Sequence, residues 1–496
     1  MRGETEVVGK LAVTADQLRF MVAFPSVTHP VPSCPCGGMD LFRPGGLGIL
    51  ADHYLPRLTG RTLPSKMASM QDPLPIQPLD RPIDAVAEVP GSKSYTNRAL
   101  IVAAMAEGTS VLRHALRSED TEHMADSLRR LGIRVDEPEP DSFRVEGQGG
   151  RIPASSAELF VGNAGTATRF LTAFLGLGHG SYLVDGIERM RKRPIQPLLD
   201  ALQALGVDAV SVNGTGCPPV RVTANGVVGG EIRMPGDQSS QYFSALLQIG
   251  PLTQGGLVIH VEREMVSKPY IDLTADVMAA FGATMERDPD YRLLRVPGGQ
   301  KYTGREYVVE PDASNASYFF GAAAVTGGRV RVPHLGRGSK QGDLQLLYAL
   351  EQMGCGVIRG DDFIEVQGPE RLRAIQVDAN AYSDMAQTLY ALAPFADGVT
   401  EVRNVEHSRL QECDRIGASA TELRRLGQDV EEFPDGLRIT PRPVTPAIVQ
   451  TYNDHRMAMA FALVGLKSPG VVIADPGCTR KTFPDYWQRL ERLRAN

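Results

Sequence analysis

Glycine recurs along this chain at a nearly constant interval. Gly108, Gly180, Gly256, Gly328, Gly398 and Gly470 are separated by 72, 76, 72, 70 and 72 residues. Each follows an Ala-rich apolar stretch and precedes a β-branched one. A second marker, two apolar residues at i and i+3 closed by a glycine, runs in step and ends at Gly132, Gly206, Gly282, Gly354 and Gly427. A fixed period of this kind means one supersecondary unit built several times and stacked to bury a common core.

Within a unit the pattern alternates helix and strand, roughly βαβαββ. Residues 93–106 carry apolar residues at helical spacing and stop at Glu107-Gly108, a C-cap signal; 110–112 then reads as a strand. Residues 121–131 give a second helix closed by Gly132, and 133–135 a further strand. Later copies of the first helix begin at Gly165, Ser239, Asp312, Asp384 and Asp454, and Tyr486 to Leu493 supplies the last helix. The Ala-rich helices are small on nearly every side, so they are expected to be buried. Residues 1–75, rich in Pro and Gly, stand outside the repeat and are expected to be weakly ordered, with Met67 and Met70 as alternative starts.

At 496 residues the chain can form several domains, and a formal net charge of −6 gives no basic field for nucleic acid. No apolar run reaches the length of a membrane span. The cysteines are scattered (Cys34, Cys36, Cys217, Cys355, Cys413, Cys478), which suits free thiols in a reducing, cytoplasmic setting better than a disulfide framework. Neither a spaced metal-ligand set nor a Walker loop is visible, so no metal and no cofactor are expected. The basic run Arg189-Met190-Arg191-Lys192-Arg193 reads equally well as a solvated face or a site.

The helix starts carry the chemistry. A helix N-terminus presents free N–H groups and partial positive charge, which suits anions. Ser239, Asp312, Asp384 and Asp454 could each be a plain N-cap. That reading leaves Lys93, Arg98 and Arg456 unexplained, because cations in a first turn are unfavourable without an anion nearby.

The segments PGSKSYTNRAL (90–100), GNAGTATRF (162–170), DGIERMRKRPI (185–195), SSQYFSALL (239–247), SKPYIDLT (267–274), DASNASYFF (312–320), NDHRMAMAF (453–461) and RKTFPDYW (480–487) resemble EPSP synthase, the 3-phosphoshikimate 1-carboxyvinyltransferase family. The resemblance runs from about residue 76 to the C-terminus. It implies an α/β, two-domain enolpyruvyl transferase fold of six βαβαββ repeats, three per domain, with the active site in the interdomain cleft. Residues 76–91 plus 311–496 would form one domain and 92–310 the other. The implied substrates are phosphoenolpyruvate and shikimate 3-phosphate, handled by a monomer with no cofactor, and glyphosate would compete for the first.

On this resemblance, phosphoenolpyruvate would be held by Lys93, Gly165, Arg189, Gln241, Arg415, Arg456 and Lys481. Arg forks and Lys charges suit its phosphate and carboxylate, and Gly165 would let backbone approach the ligand. Shikimate 3-phosphate would use Lys93, Ser94, Arg98, Ser239, Ser240, Gln241, Ser267, Tyr270, Asp384 and Gln411. Catalysis would fall to Asp384 beside the attacking hydroxyl, Glu412 near the methylene carbon, and Lys93 as charge stabiliser. His455 is expected to be structural, hydrogen-bonded within its turn, and Asp312 to support its helix. Asp414 and Arg415 also admit a reading as a surface ion pair, and His407 sits where the family varies.

One position departs from the family. The run Arg409-Leu410-Gln411-Glu412-Cys413-Asp414-Arg415 has Gln411 where the family carries a lysine touching the shikimate part. Glutamine keeps hydrogen-bonding capacity and loses a charge, which predicts altered affinity ahead of altered substrate. A UDP-N-acetylglucosamine enolpyruvyl transferase shares the fold, but would show a loop cysteine and an asparagine where this chain has Ser94. A phosphate-binding protein without activity would need lost catalytic groups, and only Gln411 looks lost.

Overall fold

The computed structural model describes residues 72–494. One unit appears complete in sequence: strand Ser156–Phe160, helix Gly165–Leu175, strand His179–Asp185, helix Gln196–Ala204 and strands Asp208–Ser211 and Val220–Asn225. Its sheet runs first, second, fourth, third strand; the first pair is parallel and the others antiparallel. The described residues form five such four-stranded sheets and one three-stranded sheet.

Five second helices end identically, which explains the second glycine period. At Leu128–Ile133 the Ile133 amide donates to Leu128 O at 3.0 Å and the Gly132 amide to Arg129 O at 3.0 Å, with Gly132 at φ +84°. This is a Schellman cap, whose left-handed residue carries a steric cost for any residue with a Cβ. The same pair of bonds closes the helices at Gly206, Gly282, Gly354 and Gly427, all at positive φ.

The first helix of each unit packs in the interior. Lys93–Met105 and His455–Lys467 are buried along nearly their whole length, and Ala313–Thr326 is buried throughout. Apolar side chains gather into two cores. One spans Tyr95 to Val309; the other joins Ile76–Val89 residues to those from Ala313 to Leu493.

Strands are exchanged where the chain passes between these cores. Asp84–Val86 precedes the Lys93 helix in sequence, yet pairs in parallel with Arg329–Pro333 of the other core. Glu306–Val308 precedes the Ala313 helix, yet pairs in parallel with Glu107–Arg113. The two crossings touch: Gly91 bridges Pro311, the Ser92 amide donates to Glu310 O at 2.8 Å, and the Lys93 amide to Asp312 Oδ2 at 2.8 Å. Asp312 also caps its own helix by accepting from the Asn315 amide, the supporting role expected of it.

The segment expected to lie outside the repeat needs one correction. Leu74–Pro75 pairs antiparallel with Val472 and Ile473 and completes the sheet of the last unit. The rest of the expected extension, through residue 71, lies outside the described residues. No helix among the described residues is long and apolar enough to cross a membrane.

Candidate active site

Two adjoining cavities open between the cores. The larger is lined by Lys93, Ser94, Arg98, Ser239, Ser240, Gln241, Ser267, Tyr270, Asp384 and Gln411, together with Thr166, Arg169, Arg193, Ser383 and His407. The smaller is lined by Lys93, Asp120, Gly165, Thr166, Arg193, Gln241, Asp384, Gln411, Glu412, Arg415 and Arg456. Lys93, Gln241, Asp384 and Gln411 belong to both walls. Every residue expected on the shikimate side faces the larger space, and most expected on the phosphoenolpyruvate side face the smaller.

Local structure aims these groups. Ser239 caps helix Ser240–Ile249, its Oγ accepting from the Gln241 amide at 3.2 Å, so the Ser-Ser-Gln run is presented at a helix start. Ser267 sits at φ +53°. Arg98 is spent on structure: it donates to Thr274 Oγ1 (2.8 Å), Ser244 Oγ (3.1 Å) and Ser94 O (3.0 Å). Burial lowers its pKa to about 10.

The smaller cavity is an ionic lattice. Arg415 donates to Asp454 (2.7 Å), Glu412 (2.9 Å) and Asp384 Oδ1 (2.9 Å), and to the Gln411 side-chain oxygen. Arg456 donates to Asp384 Oδ2 at 2.6 Å. Lys481 donates to Glu412 Oε1 at 2.8 Å and Asn163 O at 2.9 Å. Lys93 Nζ lies 3.5 Å from Asp120. Thus two of the three early-helix cations, Lys93 and Arg456, face carboxylates of this chain, whereas Arg98 is held by hydroxyls and main-chain carbonyls.

These contacts set the charges. Burial alone would raise Glu412, but Lys481, Arg193 and Arg415 hold it well below the usual carboxylate range. Burial likewise pushes against ionised Asp384, and Arg456, Arg415 and Lys93 prevail to lower it. Both stand as carboxylates among cations.

Several expectations change here. Asp384 is not a helix cap; it lies in the 3-10 stretch Asn380–Met385, two residues ahead of helix Ala386–Leu392, whose cap position is Met385. Asp414 and Arg415 are no surface pair: Asp414 binds Arg409 and caps its helix, while Arg415 is buried. His455 makes no hydrogen bond within its turn: neither buried ring nitrogen has a hydrogen-bond partner, although Nδ1 lies 3.6 Å from Asp454 Oδ1. Burial and the charges of Lys93, Arg456 and Lys481 keep its imidazole neutral, well below its ordinary range.

The basic run divides. Arg191 and Lys192 pair on the surface with Asp185 and Glu188. Arg189 reaches the Gln411 carbonyl, from Nε at 3.0 Å and Nη2 at 2.6 Å. Of this run, only Arg193 lines both cavities, donating to Asn163 O at 3.0 Å and lying 3.7 Å from Glu412. Gly165 keeps room for that side chain: a Cβ there would lie 2.5 Å from Arg193 Nη2 and 3.0 Å from Arg169 Nη1. Asp120, Arg169 and Arg193 were missed by sequence reasoning. Only the position of Arg193 in a dense basic motif gave a signal.

Comparison with known proteins shows the family. The profile of the EPSP synthase (3-phosphoshikimate 1-carboxyvinyltransferase) family matches residues 79–490. The chain belongs to the EPSP synthase family. It is 52% identical over 423 residues to the 3-phosphoshikimate 1-carboxyvinyltransferase of Nostoc sp., covering 85% of this chain and 99% of that protein. The chloroplastic enzyme of Arabidopsis thaliana is 46% identical over 437 residues, 84% of each chain. Among solved structures, an EPSP synthase from Acinetobacter baumannii superposes with a TM-score of 0.73 at 25% identity, covering 85% of this chain and 98% of its own. The family's repeated α/β fold is therefore the fold of this chain.

Proposed function

We propose that the protein transfers the 1-carboxyvinyl group of phosphoenolpyruvate to the 5-hydroxyl of shikimate 3-phosphate and releases phosphate. The observation that carries this reading is the pair of adjoining cavities. One has Ser, Tyr and Arg walls suited to a phosphorylated polyol acid; the other is lined by the cations Lys93, Arg193, Arg415 and Arg456 and the carboxylates Asp120, Asp384 and Glu412. The residues shared by both walls lie where the two substrates would meet.

The reaction is an addition followed by an elimination. The hydroxyl oxygen bonds to C2 while C3 gains a proton; C3 then loses a proton as the C2–O bond to phosphate breaks. Asp384 takes the hydroxyl proton, and Glu412 gives and later removes the proton at C3. Lys93, between the cavities, stabilises charge on both ligands. Lys481, Arg193 and Arg415 keep Glu412 ionised. A bound phosphate and carboxylate would neutralise those cations and raise the proton affinity of Glu412. The substrate thereby prepares the acid that protonates it.

The two cores (76–91 with 311–496, and 92–310) would close on one another about the crossings at Gly91 and Pro311. The free thiols of Cys217, Cys355, Cys413 and Cys478 suit a reducing compartment. The test is phosphate release from shikimate 3-phosphate and phosphoenolpyruvate. No release by folded protein would move the reading to another carboxyvinyl acceptor. For Glu412, the expected outcome is a fall in turnover of more than about tenfold in Glu412→Gln; a smaller fall would remove its role.

A further inference from the structure

Asp343 takes no part in the mechanism above and lines neither cavity, yet its carboxyl is joined to both. It lies in the 3-10 turn Gly342–Gln345 and is 4% exposed. Its Oδ2 accepts from the hydroxyl of Ser314 and, at 3.5 Å, from that of Tyr270. Its Oδ1 is buried with no hydrogen-bond partner. Ser314 Oγ in turn accepts from Arg456 Nη2 at 3.3 Å, and the same nitrogen donates to Asp384 Oδ2 at 2.6 Å.

The direction of this chain is fixed. A guanidinium only donates, so the Ser314 proton must point at Asp343. Tyr270 comes from the 92–310 core and faces the larger cavity; Arg456 comes from the other core and faces the smaller. One buried carboxyl therefore fixes a wall residue of each cavity, from both sides of the cleft. Its own charge is poorly compensated, because Arg456 is already shared with Asp384. Burial and the neighbouring Asp384 push Asp343 up to about 7, against the pull of Arg456 and Ser314; Asp312 also faces it and raises it further.

We propose that Asp343 is a positioning residue for the transfer: through Ser314 and its own Oδ2 it holds Arg456 and Tyr270 against the two substrates. The assignment rests on the transfer reading above. Removing the acceptor in Asp343→Ala is expected to raise KM for both substrates about tenfold, with a smaller loss in kcat. Asp343→Asn keeps an acceptor oxygen and should restore both KM values to within about threefold.

Steady-state kinetics on the full chain, with thermal melting as a fold check, decide the matter. If Asp343→Ala does not fold, Ser314→Ala, which breaks the link from Asp343 to Arg456, decides in its place, with KM for phosphoenolpyruvate expected to rise several-fold. A parent chain that turns over, with Asp343→Ala (or Ser314→Ala in its place) matching its KM values, or with Asp343→Asn failing to recover them, overturns the assignment alone. A parent that releases no phosphate overturns the transfer reading and the assignment with it.

Discussion

Arg189 spans the cleft to a single acceptor, the main-chain carbonyl of Gln411, with bonds of 3.0 Å from Nε and 2.6 Å from Nη2. A neutral carbonyl is a weak partner for a guanidinium; a carboxylate or phosphate gives shorter bonds of about twice the strength. An anionic substrate in the smaller cavity would therefore draw Arg189 off Gln411 at modest cost. Arg189→Ala is expected to raise KM for phosphoenolpyruvate by roughly ten- to a hundredfold, the worth of a hydrogen bond to a charged group. KM for shikimate 3-phosphate should change little. Steady-state titration of each substrate checks this, and a loss confined to the shikimate side would overturn it.

Gly165 invites a separate prediction. Its φ is not in the left-handed region, so Gly165→Ala meets no backbone strain. The added Cβ would press on Arg193, which is buried and anchored on Asn163 O. Arg193 must shift, and with it the charge beside Glu412. Gly165→Ala should keep its melting temperature within a few degrees, consistent with a change of about 1 kcal/mol or less in a helix. KM for phosphoenolpyruvate should rise several-fold. An unchanged KM would mean that Arg193 can yield without cost.

The contrast between Gly165 and the periodic glycines shows what a sequence exposes. Gly132, Gly206, Gly282, Gly354 and Gly427 were readable because a left-handed cap excludes side chains at one fixed place in every copy. The helix-start residues were readable as a family motif, and the cavities gather them as expected. The exchange of Asp84–Val86 and Glu306–Val308 left no local trace, since a parallel pairing across some 245 residues (Asp84 to Arg329) is decided by tertiary contacts. Asp120 was invisible for another reason. An acid in the first turn of helix Glu119–Arg130 is ordinary helix-dipole chemistry, and its approach to Lys93 and Lys481 is what distinguishes it. Asp384 erred in the opposite direction, because Asp before an apolar helix has the same local pattern as a cap.

Gln411 accepts through its side chain from Arg415, which also binds Asp384. A lysine at this position could not accept. It would release that arginine and bring a positive charge to the wall of the larger cavity. Gln411→Lys is therefore expected to lower KM for shikimate 3-phosphate by roughly three- to tenfold, the scale of one charge-assisted hydrogen bond. Part of the gain in binding would be offset in stability by the ammonium facing Arg415. Isothermal titration with shikimate 3-phosphate alone measures the binding term, and weaker binding in the lysine variant would reject this account of the position.

His407 lines the larger cavity, with Nε2 2.8 Å from Ser383 Oγ. Burial, opposed by Asp384 and assisted by Arg415, brings its pKa down to about 4. The unfolded ring titrates near 6.5, so between these values the unfolded state binds more protons. Its contribution to stability is then present above about pH 6.5 and is lost as pH falls through about 4. The ring is only partly covered, which limits the effect to the order of 1–2 kcal/mol. His407→Asn should lack this term: parent and variant should differ in their change of unfolding free energy between pH 7.5 and pH 4.5, the parent losing more. Urea titrations at the two pH values measure the difference, and equal losses would show that His407 becomes charged in the folded protein as readily as in the unfolded chain.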